Sequence, residues 1–482
     1  MKYFFILLCV IINLKISAQA PSKFYQRFGG NGYDVGYDVK QTLDSGYVIT
    51  GSTSSFGAGY TDMYLAKLDK MGQVKFQKTF GNYNNENGKS VVQLIDSSYV
   101  ILGYTNSTGF GGYDMYLVKA DKTGAFLWQK NYGGVDWDFG NSLQQTSDGG
   151  FIIAGTTYSF GRGNADGYVI KTDALGNVTW TKTYGGANDD EFKSIIQTSD
   201  GGYALTGYSK SYGDAAFGDL WAFKLNATGD STWCKFFGGV KEDFGNCILE
   251  HPNGDFFISG AKQSITTNLL EGYALRINNL GNLVFQVLDG NLIYNQIFSS
   301  ITVSKKNNNI VTVIEKENFP GYKMQFKIME LNLGLAYLNA TDYGSIEDDE
   351  TFTIISTFDK GYASIGYTTG FNAILTDVYL VKTDSMLVGG NFSVVGISES
   401  EKNDDHINLF PNPVSHHLIL NLKNDLSNYI LSFYDSFGNE IDIRNIIIHL
   451  SNNQLKLDLS NFSEGFYYLK IGNSSKKIVI IH

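Results

Sequence analysis

The stretch SDGGFIIAGTTYSFGRGNADGYVIKTDALGNVTWTKTYGG, residues 147–186, decides the fold. Three short apolar strands alternate within it, Phe151–Thr156, Gly167–Thr172 and Thr179–Tyr184, and Ser142–Thr146 just before it supplies a fourth. Ser147-Asp148-Gly149-Gly150 joins the first two strands, with glycine supplying the positive φ of a tight hairpin, and Asp173 to Gly176 joins the last two. The unit is therefore a four-stranded antiparallel sheet, with strands A, B, C and D in chain order.

The same unit recurs along the chain. The glycine of the aromatic-Gly pair falls at Gly29, Gly81, Gly133, Gly185, Gly238, Gly290, where Asp289 replaces the aromatic, and Gly344, with gaps of 52, 52, 52, 53, 52 and 54 residues. A fixed period of this size with four strands per repeat predicts an all-β, seven-bladed β-propeller, followed by a small β-sandwich. Phe24–Phe28 reads as a D strand with no A, B or C before it, whereas the seventh unit supplies A, B and C and then runs into Met386–Gly390, which lacks the D pattern. The N-terminal strand is thus expected to complete the last blade and remove an exposed sheet edge. Phe24, Phe76, Trp128, Trp180, Trp233 and Phe285 stand five residues before six of the seven counted glycines and are expected to pack between blades. The sixth unit, 284–335, has lost most of the signature.

Composition agrees with many short strands: of 482 residues, 54 are Gly and only 5 Pro, while Tyr and Phe together number 64. A formal charge of −11 argues against nucleic acid or an anionic membrane as partner. Residues 1–20 carry Lys2, an apolar run from Tyr3 to Ile12 and the small-residue segment Ser17-Ala18-Gln19-Ala20, which together read as a secretory signal cleaved after Ala18 or Ala20. No later stretch has the roughly 18 apolar residues of a transmembrane span. The expected organisation is signal 1–20, propeller 21–390, polar linker 391–406 and a strand-rich module 407–482. Cys234 and Cys247 fall on the outermost strand of one blade and the innermost of the next, so two buried thiols are expected rather than a disulfide.

Lys119-Ala120-Asp121-Lys122-Thr123-Gly124-Ala125-Phe126-Leu127-Trp128 and the matching Lys171–Trp180 segment resemble the tryptophan-docking repeat of quinoprotein-type propellers, without matching residues for their cofactor. Near the C-terminus, Asn408-Leu409-Phe410-Pro411-Asn412-Pro413, Ser432–Asn439 with Gly438, Leu457–Ser460, Gly465–Ile471 with Tyr467, and Lys476-Lys477-Ile478 are similar, in order, to the type A C-terminal sorting domain of the type IX secretion system. That resemblance implies a protein of the Bacteroidota whose sorting motif includes Pro411, Asn412, Pro413, Gly438, Gly465, Tyr467 and Lys477. It further implies the secretion machinery as partner and an extracellular or outer-surface location.

His251 is the only histidine between Lys23 and Gly390, so no histidine-based metal site or nucleophile triad can be assembled in the ring. Beside Pro252, it is expected to be a solvated turn residue. Acids recur five residues after the counted glycines, at Asp34, Glu86, Asp138, Asp190, Asp243 and Asp349, and at the start of strand C, at Asp62, Asp114, Asp166, Asp219, Glu271 and Asp377. They have two readings: caps of their own turns, which repetition favours, or ligands for calcium or a cationic partner around Asp189-Asp190-Glu191 and Glu347-Asp348-Asp349-Glu350. Departures from the repeat mark the candidate binding face: Trp137 with Asp138, Asp189, Asp190, Asp243, Arg162, Glu347 and Asp348, together with variable loops at Phe217, Leu269-Leu270, Phe319-Pro320 and Phe371. The expected function is a non-enzymatic binding or adhesion propeller engaging an extracellular glycan or protein, with no catalytic residues and no cofactor other than the calcium considered. The alternatives are a secreted carbohydrate-active or quinoprotein-like enzyme and a matrix component.

Overall fold

The computed structural model describes residues 23–213, 217–290, 292–317, 325–345 and 347–389, and in the C-terminal region 407–410, 414–422, 431–434, 440–443, 446–451, 454–462, 465–471 and 474–480. The proposed signal segment and linker lie outside the described residues. The chain divides into two compact units, 1–393 and 394–482. Among the described residues no helix is long and apolar enough to cross a membrane.

In the first unit the described strands form seven four-stranded antiparallel sheets, numbered here in chain order from the one that begins at Asp34. Their A strands contact one another in sequence, from Asp34–Gln41 through Glu86–Gln93, Asp138–Gln145, Asp190–Gln197, Asp243–Glu250 and Asn295–Val303 to Asp349–Ser356, which meets Asp34–Gln41 again. This closed succession of radial sheets is a β-propeller. The seventh sheet takes its outer strand from the other end of the chain: Phe24–Phe28 pairs antiparallel with Val378–Lys382. Strands B and C are buried along most of their length, and throughout in Tyr47–Thr53 and Asp62–Leu68, because each sheet is covered on both faces by its neighbours. The outer D strands alternate between half-buried and exposed positions.

The repeated lysine at the end of strand C locks four of the sheets internally. Lys67, Lys171, Lys224 and Lys382 place Nζ 2.9, 2.9, 2.8 and 2.9 Å from Asp44, Asp148, Asp200 and Asp359 of the A–B turn. Each also donates to the carbonyl of the residue that follows it. The fifth sheet substitutes Arg276 with Asp255, and the sixth inverts the charge, Glu330 accepting from the side-chain amides of Asn307 and Asn309 at 2.8 Å each. The irregular repeat therefore keeps the link with different chemistry.

Between sheets, the D-strand aromatics meet the first residue of the next sheet's B strand edge-on: Phe24 with Tyr47, Phe76 with Tyr99, Trp180 with Tyr203 and Trp233 with Phe256, at 5.9 to 6.1 Å. The C–D turn of the following sheet completes the seat. At Gly124, φ is +79° and a Cβ would stand 2.6 Å from the Phe76 ring, so glycine is required twice over. Phe285 departs from this pattern and is 48% exposed, because the sixth repeat offers Ile310 where its neighbours place Tyr or Phe.

Three expectations are corrected. Strand A begins four residues earlier than its apolar pattern suggests, at Asp138 rather than Ser142, and a bulge between Gly140 and Ser142 absorbs the change of register. His251 is buried rather than solvated; Nε2 lies 2.9 Å from the Asn308 carbonyl and Nδ1 accepts from the Asn253 amide. The Cys234 and Cys247 thiols are free, as read from the repeat, but only partly buried.

The described strands of the second unit form two four-stranded sheets. Ile407–Phe410, His417–Leu422, Gln454–Asp458 and Ile447–Ser451 form one, and Glu440–Ile441, Leu431–Tyr434, Gly465–Ile471 and Ser474–Ile480 the other. Leu418, Leu420, Phe433, Leu455, Leu457 and Leu469 fill the space between them.

Asp359→Ala strands the fully buried Lys382 ammonium and is expected to cost about 3 kcal/mol in chemical unfolding. Adding Lys382→Met should recover most of that loss. A single variant as stable as the parent would contradict the structural role assigned to this pair.

Candidate functional site

The D–A loops and B–C loops lie side by side on one face of the ring. The amides of five strand-A acids donate to the last loop residue of the preceding sheet: Asp34 to Thr376, Glu86 to Thr61, Asp138 to Tyr113, Asp190 to Ala165 and Asp243 to Gly218, at 2.6 to 2.9 Å. The acid side chains turn inward and cap these loops. Asp138 accepts from the Gly134 amide at 2.8 Å and the Ser159 hydroxyl at 2.7 Å, and Asp190 does the same with Gly186 at 2.8 Å and Ser211 at 2.6 Å. In strand C, Asp114 accepts from the Phe110 amide and Asp166 from the Arg162 amide, both at 2.8 Å.

Asp138, Asp190 and Asp243 are 0% exposed, which corrects their assignment to a contact surface. Burial pushes the Asp243 carboxyl up to about 6, against the pull of Lys262. Asp189 remains half-buried and pairs with Lys210 at 3.2 Å. Glu191 accepts from Asn141, so Asp189, Asp190 and Glu191 serve three different partners and do not converge as calcium ligands. Glu347 and Asp348 are half-buried, their amides held by Ser345 and Thr369.

Five aromatic rings cluster on this face where the second and third sheets meet. Tyr104, Tyr113, Trp137, Phe139 and Tyr158 contact one another at 5.0 to 6.4 Å, mostly edge to face. Trp137 remains 52% exposed and Tyr158 43%, so the cluster presents fixed ring surfaces to solvent. Trp137 was legible as a break in the repeat; its partners come from strand B and the B–C loop of the second sheet and from strand A and the B–C loop of the third, a grouping only the fold creates.

Tyr158 begins the B–C loop that also carries the exposed Arg162. On the other side of this loop Arg162, Tyr184, Tyr212, Trp221, Phe236 and Cys234 line a cleft of about 600 Å³ between the third and fourth sheets. A second cavity, of about 320 Å³, lies between the A strands and includes Asp38, Lys40, Lys89, Asn141, Lys193 and Asn246. The Lys89 Nζ stands 3.5 Å from the Tyr37 ring centroid and the Lys193 Nζ 4.4 Å from that of Phe244. Burial lowers the Lys89 ammonium to about 8, opposed by the charge of Glu191. None of these A-strand residues was singled out from sequence, since Lys89, Asn141, Lys193 and Asn246 share one repeat position that switches between lysine and asparagine and no motif marks it.

In the C-terminal unit Tyr467 is buried and stacks on Phe433 at 5.6 Å, Lys477 pairs with Tyr468 across the strands and Gly465 with Ile480. Pro411, Asn412, Pro413 and Gly438 lie outside the described residues.

Residues 408–481 match the family described as the secretion system C-terminal sorting domain. The chain is 28% identical over 202 residues to regulatory protein FlaEY of Caulobacter vibrioides; the match takes in 36% of this chain and spans about a fifth (21%) of that relative's length. Among solved structures, a fungal alcohol oxidase of the AA5 family in complex with copper aligns over 95% of this chain and 98% of its own, with a TM-score of 0.47 and 12% identity. The Pan2 WD40 domain of Neurospora crassa covers 77% of this chain and 99% of its own at 0.47 and 11%, and the Dos1 propeller covers 77% and 85% at 0.46 and 12%. The propeller architecture of the described residues stands on their own closed succession of sheets, and the sorting domain marks the chain as secreted. Its C-terminal sorting tail belongs to the type IX system, which implies contact with that machinery and delivery to the cell exterior or surface.

Lys89 gives the A-strand cavity a pH signature. Its folded-state value lies below the 10.5 of an ordinary lysine, so the unfolded chain holds the extra proton and stability rises with pH between about 8 and 10.5. Urea unfolding at pH 7.5 and 9.5 should show the parent gaining stability relative to Lys89→Met. Identical pH dependence in the two proteins would contradict a depressed Lys89.

Proposed function

We propose that this protein is a seven-bladed propeller of a Bacteroidota cell envelope that binds a neutral extracellular glycan, without catalysis, through the Trp137 cluster. In this reading the signal segment at 1–20 directs passage through the inner membrane and is removed, the tail from 407 directs passage through the outer one, and residues 21–390 meet the ligand. The observation that carries the proposal is the set of five mutually packed rings with Trp137 and Tyr158 open to solvent. Sugar rings present C–H faces that stack on such surfaces, and rings already held by their neighbours lose little freedom on binding. Asn87 hydrogen-bonds to Tyr104 and the charge of Glu191 acts on Tyr158, so polar groups stand at the edge of the cluster. A formal charge of −11 disfavours a polyanionic ligand.

Glycan-array screening of the mature chain, followed by calorimetry on the best ligand, tests this. Trp137→Ala should weaken binding by roughly tenfold or more, as expected for an aromatic anchor, and leave the melting temperature within a few degrees. Unchanged affinity, or polysaccharide turnover that survives the substitution, would overturn the reading.

A further inference from the structure

The buried acids come in facing pairs, one from strand C of a sheet and one from strand A of the next. A methyl group placed on Gly133 would meet Asp114 Oδ1 at 2.3 Å and Asp138 Oδ2 at 2.6 Å, so the two carboxylates converge beneath this glycine. The same convergence recurs at Gly29 with Asp377 and Asp34, at Gly81 with Asp62 and Glu86, at Gly185 with Asp166 and Asp190, and at Gly238 with Asp219 and Asp243. Two carboxylates this close and out of water repel unless a cation or a proton joins them.

Two of these junctions carry a basic side chain. Arg27 binds Asp377 directly, and the charge of Lys262 acts on Asp243 while its Nζ donates to the Gly238 carbonyl at 2.9 Å. At the junction of the second and third sheets the position of Arg27 is taken by Asn131, whose amide is bound to Thr108, and that of Lys262 by Thr157. Asp114 and Asp138 are each 0% exposed, and the Oδ1 atom of each has no hydrogen-bond partner. These are deeply buried acceptors at a point where two other junctions of the ring, at Gly29 and Gly238, place a positive charge.

We propose that Asp114 and Asp138 together hold a calcium ion between the second and third sheets. Calcium takes six to eight oxygen ligands and readily accepts main-chain carbonyls and water alongside carboxylates. Two carboxylates, fewer than in the tight intracellular sites, fit an affinity in the range of about 10⁻⁴–10⁻³ M typical of extracellular modules. The residues just before the pair are Tyr113 and Trp137, and the Asp138 amide donates to the Tyr113 carbonyl at 2.6 Å. The ion would therefore brace both loops beneath the aromatic cluster. The inference stands whether or not that cluster binds a glycan.

Terbium stands in for calcium in the test, using the mature full chain and excitation in the tryptophan band. Terbium emission sensitised through Trp137 should appear and be displaced by calcium, and calcium should raise the melting temperature by a few degrees over EDTA at matched ionic strength. Asp114→Asn, which keeps a capping oxygen and loses the charge, should lose one bound equivalent and reduce that rise. Should this variant fail to fold, Trp137→Phe serves: it should lose the emission and retain the calcium-dependent rise. The proposal fails if calcium neither binds nor stabilises the parent, if Asp114→Asn binds as many equivalents, or if stabilisation comes only from lowering the pH, which would mean a shared proton.

Discussion

The five residues Phe24–Phe28 carry the closure of the whole ring. They hydrogen-bond along Val378–Lys382, set Phe24 against Tyr47 of the first sheet, bring Tyr25 to Tyr343 and Tyr379, and place Arg27 on Asp377. A ring of sheets is stable only when every sheet is covered on both faces; one missing contact would expose both the edge of the seventh sheet and the face of the first. The strand farthest from the rest in sequence is thus the one that makes the other packing contacts mutually supporting, at the entropic cost of closing a loop of the whole domain.

Within that closed frame, polar groups do much of the positioning. Buried lysines tie strand C to the A–B turn of the same sheet, and buried strand-A acids tie the D–A loop to the B–C loop of their own sheet through the carboxylate and to that of the sheet before through the amide. The second set builds the face on which the aromatic cluster sits. Asp138 illustrates the division of labour: its carboxylate holds the loop from beneath, while the preceding residue, Trp137, faces solvent. Scaffold and candidate recognition surface are adjacent residues of one chain segment.

The repeat, its turns and strands B, C and D were legible because their chemistry is local: alternation, Asp-Gly turns and a fixed spacing. What was not legible depends on contacts between repeats. Asp138 looks like a surface loop acid until the neighbouring B–C loop covers it, and for the same reason strand A seemed to start at Ser142. His251 reads as a solvated turn residue until Asn308 of the next sheet closes over it. Phe285 follows the aromatic spacing, yet the residue that should receive it has become Ile310. In the tail, Ile407–Phe410, Glu440–Ile441, Ile447–Ser451 and Ser474–Ile480 escaped notice as strands; short edge strands carry a weak pattern. The A-strand cavity joins residues from several repeats, each unremarkable in its own.

Native-state hydrogen exchange on the mature chain tests the closed ring most directly. The account predicts that the amides of Phe24–Phe28 exchange only through global unfolding, with the same free energy and denaturant dependence as those of the central strand Tyr47–Thr53. Exchange of the N-terminal strand through a local opening several kcal/mol less costly, with Tyr47–Thr53 still protected, would contradict it.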